Sequence, residues 1–358
     1  MRREVRDESV AVRRRPTGCR TIPAALAFAA LLLAGAHPSR AASCDEVVVA
    51  TWGGDYEKFL KQFVEPPLDK RMEVLHDVGR PAERKTKLLA ERNARTGNID
   101  VVHLNGPDMY DMQEAGLLEK LDLAKIPNAK NIEPRFAEDY SVPHIYSAET
   151  ILYNPKHVSP PPDSYAVFLD PKYKGRVGVQ RHLWVNWFEI GAILEGGTPT
   201  NYEPGKDWLK TFKANEPRIY PSQEALAVAI KNEEVWLTPN WRARAAMWER
   251  EGMPVKDVVP KEGAVPIVYR AGIPKNAPHK DCAYAYLDAM LAPQAQIGFA
   301  KDMGYIPTVS NAELPPDLRA RLGFTEAERK NFFRQDYGYI AKNFAPWGEW
   351  WDKNFLAK

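Results

Sequence analysis

Residues 45–56 read DEVVVATWGGDY, and this stretch decides the fold. After Glu46 comes an unbroken apolar run, Val47-Val48-Val49-Ala50, with no polar residue alternating through it. A strand with one face in water alternates polar and apolar side chains. A strand without alternation is covered on both faces, as parallel strands flanked by helices are. The run ends in Thr51-Trp52-Gly53-Gly54, a glycine turn carrying a large aromatic. Tyr56, Phe59, Leu60 and Phe63 then recur at helical spacing. Strand, turn and helix in this order open an α/β sheet with right-handed crossovers.

The alternation continues outward. Residues 72–76 read as a strand and 82–95 as a charged amphipathic helix, with Leu88 and Leu89 inward and the charge run 83–95 as its solvated face. Gly97 supplies the helix stop. Residues 99–104 (IDVVHL) form a third strand, Asn105-Gly106-Pro107 its turn, and 107–115 the next helix. Beyond Pro143 a second series begins, with strands at 150–153, 175–179, 235–238 and 265–271. Helices are expected at 186–194, 207–214, 222–232, 243–252, 281–291 and 293–303. Two such series imply two α/β lobes. Ligands of open α/β sheets sit outside the carboxyl ends of the strands, and a cleft between lobes is a common small-molecule site. The strand ends here carry aromatic, amide or guanidinium groups: Trp52, Asn105, Arg181, Asn240-Trp241-Arg242 and Tyr269.

Upstream of the first strand lie Arg13, Arg14, Arg15 and Arg20, an apolar run at 22–35 (IPAALAFAALLLAG), and the small-residue pattern Ser39-Arg40-Ala41. These are the three parts of a cleavable export signal, with cleavage expected after Ala41. The apolar run is shorter than the roughly 20 residues a spanning helix needs. Removing residues 1–41 takes away eight Arg and three acids, so the formal charge passes from +2 to −3. The basic balance therefore belongs to the signal, and nothing points to nucleic acid or an anionic membrane. The remaining residues exceed the usual size of a single core. They keep Cys44 and Cys282. In an oxidising compartment these two can pair; the alternative is one buried and one terminal free thiol.

Six further pieces, in order, carry a resemblance: Trp52-Gly53-Gly54-Asp55-Tyr56; residues 99–121 (IDVVHLNGPDMYDMQEAGLLEKL); Tyr140-Ser141-Val142-Pro143 opening into 151–154 (ILYN); Asp170-Pro171-Lys172-Tyr173-Lys174-Gly175; Val259-Pro260-Lys261-Glu262-Gly263 with Ile273-Pro274-Lys275-Asn276-Ala277; and Gly304-Tyr305-Ile306-Pro307. Together they resemble the periplasmic solute-binding proteins of bacterial ABC importers, spermidine/putrescine-binding type. The resemblance implies a two-lobed, type II-like periplasmic-binding-protein fold of α/β class, with two crossover strands near 144–150 and 269–273. Lobe one would be discontinuous, 42–145 and 273–358, and lobe two would be 146–272. It implies a periplasmic monomer that traps a small solute by hinge closure and delivers it to a membrane permease driven by its ATPase subunits, with no enzymatic step, cofactor or metal. The terminal Trp347, Trp350 and Trp351, at helical spacing, would pack a last helix onto lobe one.

The chain departs from its resemblance at the solute. Polyamine binders hold their cation with acids, and the matching positions fall near Arg181-His182, Val185 and Tyr269, none of them acidic. A polyamine ammonium buried beside Arg without a carboxylate is costly, whereas guanidinium suits a carboxylate or phosphonate. An anionic or zwitterionic solute is therefore expected, amino-acid-like or an organic acid, with a polyamine as the alternative. Trp52 and Trp241 would sandwich its carbon skeleton. Gly53, Asn105, Asn240 and Tyr269 would complete the wall, Arg181 and Arg242 would meet the anion, and Asp55 and Glu149 are the acids that would receive an amine. An exported hydrolase is the rival of another class, but no G-x-S-x-G or H-E-x-x-H motif occurs and the seven His are scattered.

Overall fold

The computed structural model describes residues 44–357, so the expected export signal and its cleavage site lie outside the described residues. The described residues belong to one compact unit. Among the described residues ten strands are formed: β1 Glu46–Thr51, β2 Glu73–Val78, β3 Val101–Asn105, β4 Val142–Tyr153, β5 Gly178–Gln180, β6 Arg218–Tyr220, β7 Leu237–Trp241, β8 Lys256–Val258, β9 Val265–Gly272 and β10 Ile306–Pro307. The helices are α1 Asp55–Phe59, α2 Pro81–Ala90, α3 Gly106–Glu114, α4 Trp184–Leu194, α5 Gly205–Lys213, α6 Gln223–Lys231, α7 Arg242–Arg250, α8 Lys280–Met290, α9 Pro293–Met303, α10 Pro316–Leu322, α11 Glu326–Lys330 and α12 Tyr337–Trp351.

As the apolar run predicts, β1 is a central parallel strand, paired with β2 on one side and β3 on the other. The sheet runs β10-β4-β9-β3-β1-β2, with β7 and β8 also pairing β4, and β5 and β6 form a small separate pair. One eight-stranded sheet joins the two expected halves because β4 and β9 are long and serve both. β9 pairs β4 over Val265–Ala271, and on its other edge it pairs β3 over Tyr269–Gly272. The far end of β4 pairs β7 over Glu149–Tyr153.

Two principal cores lie on either side of this ribbon. The first gathers Val47, Val49, Leu60, Ile145, Tyr286, Leu287 and Phe299. The second gathers Ile151, Phe168, Trp187, Trp208, Phe212 and Leu237. Cys44 and Cys282 form a disulfide with Cα atoms 5.1 Å apart, fastening the start of β1 to α8 in the first core.

The terminal helix is not where the sequence reading puts it. Trp347 of α12 stacks on Phe188 and Tyr202 at 5.5 and 5.2 Å, and Trp351 stacks on Phe355. These rings belong to the second core, so the last segment does not belong with residues 42–145. Trp184 and Phe188 of α4, with Tyr202, present an apolar face, and the aromatic stripe of α12 covers it. The crossing begins earlier: Arg321 on α10 pairs with Asp257, and Tyr337 at the start of α12 lies 6.2 Å from Tyr110 of α3.

Candidate functional site

The carboxyl ends of β1, β2 and β3 and the middle of β9 converge. Trp52 follows β1 directly, and Asn105 at the end of β3 pairs with Tyr269 of β9. Trp52 meets Tyr269 edge-on at 4.9 Å and Tyr56 at 5.1 Å. The Tyr269 hydroxyl is 3.2 Å from that of Tyr305. Tyr305 is delivered by Gly304, which ends α9 with a left-handed φ of 78°. A Cβ on Gly304 would lie 2.8 Å from the Ala243 carbonyl, so only glycine lets this turn approach α7. Gly53 has a similar packing duty, since a Cβ there would lie 2.8 Å from Cγ1 of Val78. Asp55 is exposed at the start of α1. Asn105 caps α3 by accepting from the Asp108 amide at 3.0 Å.

Two guanidinium groups reach this aromatic cluster, and neither is the pair expected from sequence. Arg242 faces the other way: its Nε donates to Asp257 at 2.9 Å, its Nη1 donates to the Gly323 carbonyl, and its plane lies 4.3 Å from the Phe324 ring. It is engaged by the protein and has no free edge for a solute. Arg244 is two residues on, about 200° around the helix, and so lies on the opposite face. Its charge acts on Tyr269 and Tyr305, opposing the rise that burial gives both phenols. Among the described residues its Nε is buried without a partner, and its Nη1 lies 3.7 Å from the Met247 sulfur. The Ser222 hydroxyl, with its own amide, holds Glu224 below the usual carboxylate range, and the charges of Arg244 and His182 add to this.

The second guanidinium is Arg84, which sequence reasoning assigned to a solvated face. It is 1% exposed, on the inward side of α2 with Leu88 one turn later, while Leu89 is 38% exposed. Its plane stacks on the Trp52 indole at 4.3 Å. Burial pulls its pKa down to about 10, against the fields of Tyr56, Asp108, Asp77 and Glu83, so it stays charged at neutral pH. Tyr269 feels both Arg244 and Arg84. The i, i+4 spacing to Leu88 was the available signal for its orientation.

The other side of the ribbon adds polar groups. Ile145, Ser147 and Glu149 of β4 are the cross-strand partners of Tyr269, Ile267 and Val265, so these alternate residues share one face. Glu149 also pairs with Trp241 at the end of β7. The Glu149 carboxyl is buried, accepts from Asn186 and leaves Oε1 without a partner; burial raises its pKa to about 7, against the Asn186 hydrogen bond. The bridge of Val177 to Leu237 carries Gln180 to the level of Asn240. Both are buried, and both Gln180 amide atoms and the Asn240 Nδ2 lack partners among the described residues. Arg181 and His182 are exposed in the turn after β5. No ring contact joins Trp52 and Trp241 among the described residues. A separate cavity of about 260 Å³ between α7, α9 and α10 contains none of the cluster.

Beneath the cluster lies a buried polar layer. The Tyr56 hydroxyl is 2.8 Å from Nδ1 of His144, and the Thr51 hydroxyl is 2.9 Å from Nδ1 of His103. Burial holds both imidazoles neutral, His144 at about 3 and His103 well below its ordinary value. This layer fixes Tyr56 and, through it, one edge of Trp52.

Trp52, Trp241 and Tyr269 are half-buried, near polar atoms of Arg84, Glu149, Gln180, Asn240 and Arg244 that lack partners among the described residues. The profile of the family described as bacterial extracellular solute-binding protein matches residues 77–325. The spermidine/putrescine-binding periplasmic protein of Escherichia coli K12 is 27% identical over 239 residues, 63% of this chain and 66% of that protein. Just under two thirds of that relative's length is matched. Among solved structures, the Atu4243-GABA receptor superposes with a TM-score of 0.76 at 23% identity, over 88% of this chain and 98% of that one. The spermidine/putrescine ABC transporter substrate-binding protein PotD of Streptococcus pneumoniae gives 0.70 at 20%, over 85% and 98%. The structural matches establish a shared periplasmic-binding-protein fold, and the profile covers well over half of the residues. The chain belongs to the bacterial extracellular solute-binding protein family.

Proposed function

We propose that this protein is the periplasmic substrate-binding component of an ABC importer, that it captures a small anionic or zwitterionic solute between the two sides of the β4–β9 ribbon, and that it passes the solute unchanged to a membrane permease. The observation that carries the solute class is Arg244: a guanidinium beside Tyr269 and Tyr305 with a buried, unpartnered Nε. A ligand carboxylate meets that need and a polyammonium does not. Trp52, Tyr269 and Trp241 would hold the carbon skeleton, with Arg181 at the rim and Asn240 as an amide donor.

A polyamine is the second reading. The sequence relatives carry polyamine names, and the free Oε1 of Glu149 is an acceptor for an amine. A zwitterion uses both ends of this inventory. The test is a thermal-shift comparison of 4-aminobutyrate, glutarate and putrescine, which share similar chain lengths and differ in end groups. Ligand at about a hundredfold over its Kd adds about 2.7 kcal/mol of stability. Stabilisation by the two carboxylates supports the reading; stabilisation by putrescine alone overturns the anionic part of it.

A further inference from the structure

Arg84 has a place in the fold that the solute class alone does not demand. It comes from α2, in the first half of the chain, and its guanidinium is fixed on two sides: the Trp52 ring covers one face and the Gly79 carbonyl accepts from Nη1. The remaining nitrogens, Nε and Nη2, are buried and have no acceptor among the described residues. These two share one edge of the guanidinium, the edge that donates two parallel hydrogen bonds to a carboxylate. Arg84 is 1% exposed, so these nitrogens lie away from bulk solvent. A buried cation left half-bonded is costly, and a carboxylate brought by a ligand removes that cost.

Resting on the anionic or zwitterionic reading above, we infer that the Nε–Nη2 edge of Arg84 is the carboxylate receptor of the first side of the cleft and faces Arg244 of the second side across Tyr269. Both guanidinium charges act on the Tyr269 phenol; Arg84 stands on α2, and Arg244 on α7, which leaves the end of β7 and packs against both halves, Ala243 and Met247 in the first core and Ala245 and Trp248 beside Leu152. A carboxylate lying between them is shared by both sides, so the same group that is recognised also draws the sides together. The solute end against Trp52 is then its acidic end, and an amine, where the solute has one, points along the ribbon towards Glu149.

The competing role for Arg84 is a fixture that only holds Trp52 in place. Calorimetry and thermal shift on the full secreted chain with glutarate, 4-aminobutyrate and putrescine separate the two. The expected result is that the carboxylate probes bind the wild type and that Arg84→Gln weakens them by about tenfold or more. Equal affinity in wild type and Arg84→Gln overturns the receptor and leaves the anionic reading standing. Binding of putrescine alone overturns both. Should no probe bind the wild type, the ligand-free Arg84→Met protein decides. An unchanged or higher Tm supports a group held half-bonded for a ligand. A Tm lower by about 4 °C or more marks a structural fixture and overturns the receptor.

Discussion

Two arginines separated by one residue have different duties. Arg242 and Asp257 are 12% and 3% exposed at their side chains, and Arg321 shares the same carboxylate. Arg242→Ala leaves Asp257 with a depleted buried network, so a loss of about 3–5 kcal/mol is expected in denaturant titrations; a loss under 1 kcal/mol contradicts the structural role. Arg244→Ala should leave stability nearly unchanged and abolish the ligand-induced Tm shift. Two buried glutamates set a pH dependence. Burial raises Glu149 to about 7 and Glu189 to about 8; Asn186 opposes the first, and Gln335 and Tyr202 oppose the second. Both bind protons in the fold that the unfolded chain has already released, so stability falls as pH rises from the ordinary carboxylate range through 7 and 8. The neutral His103 and His144 act oppositely, but mainly below their unfolded value near 6.5. Between pH 6.5 and 8.5 the glutamates outweigh the upper tail of the histidine titration, each contributing at most about 1.4 kcal/mol per pH unit. Stability should therefore drop across that window, and Glu189→Gln should flatten the drop. A stability that rises from pH 6.5 to 8.5 contradicts this.

The elements were more legible than their contacts. The unbroken run 47–50 and the run 99–104 specified covered strands because burial on both faces leaves a pattern in the sequence. β4 was legible only from residue 150, because Pro143, His144 and Glu149 interrupt its apolar pattern at the positions where it crosses between the cores. The orientation of Arg242 and Arg244 was not legible, since a one-residue error in where β7 yields to α7 rotates every later side chain by about 100°. Arg84 was legible through Leu88, yet its charge favoured the solvated reading. The partner of α12 is a tertiary fact: its aromatic stripe shows that it packs, and only the apolar face of α4 with Tyr202 shows where. Trp347→Ala, which removes the stack on Phe188 and Tyr202, should cost about 3–5 kcal/mol, read by denaturant titration, and a cost under 1 kcal/mol would contradict the docking. The Cys44–Cys282 disulfide closes a separation of 238 residues. Its reduction should lower stability by about 2–5 kcal/mol, and Cys282→Ser should lose the same amount and become insensitive to reductant.

At the scale of the whole molecule, the chain passes between its two cores three times: through β4, back through β9, and again through residues 312–336. The first two form a paired ribbon in which Ser147 and Ile267 lie between Tyr269 at one end and Glu149 at the other. The third is a strap on which Arg321 and α12 are anchored to the second core while Tyr337 stays against α3. A paired ribbon bends more readily than it shears, and a strap tied at both ends limits how far the sides open. On the proposed function, closure would be a small rotation driven by a ligand that bonds to both sides, and a ligand shifts such a balance only by what it gains in the closed arrangement. With 4-aminobutyrate or glutarate bound, small-angle scattering should show a smaller radius of gyration for the wild type, independent of protein concentration as for a monomer. Arg244→Gln, at ligand concentrations that restore occupancy, should show less compaction, because binding to one side alone leaves the other without a partner. An unchanged radius in the saturated wild type would mean that the two sides are already locked by the strap, and hinge closure would have to be given up even where the solute class held.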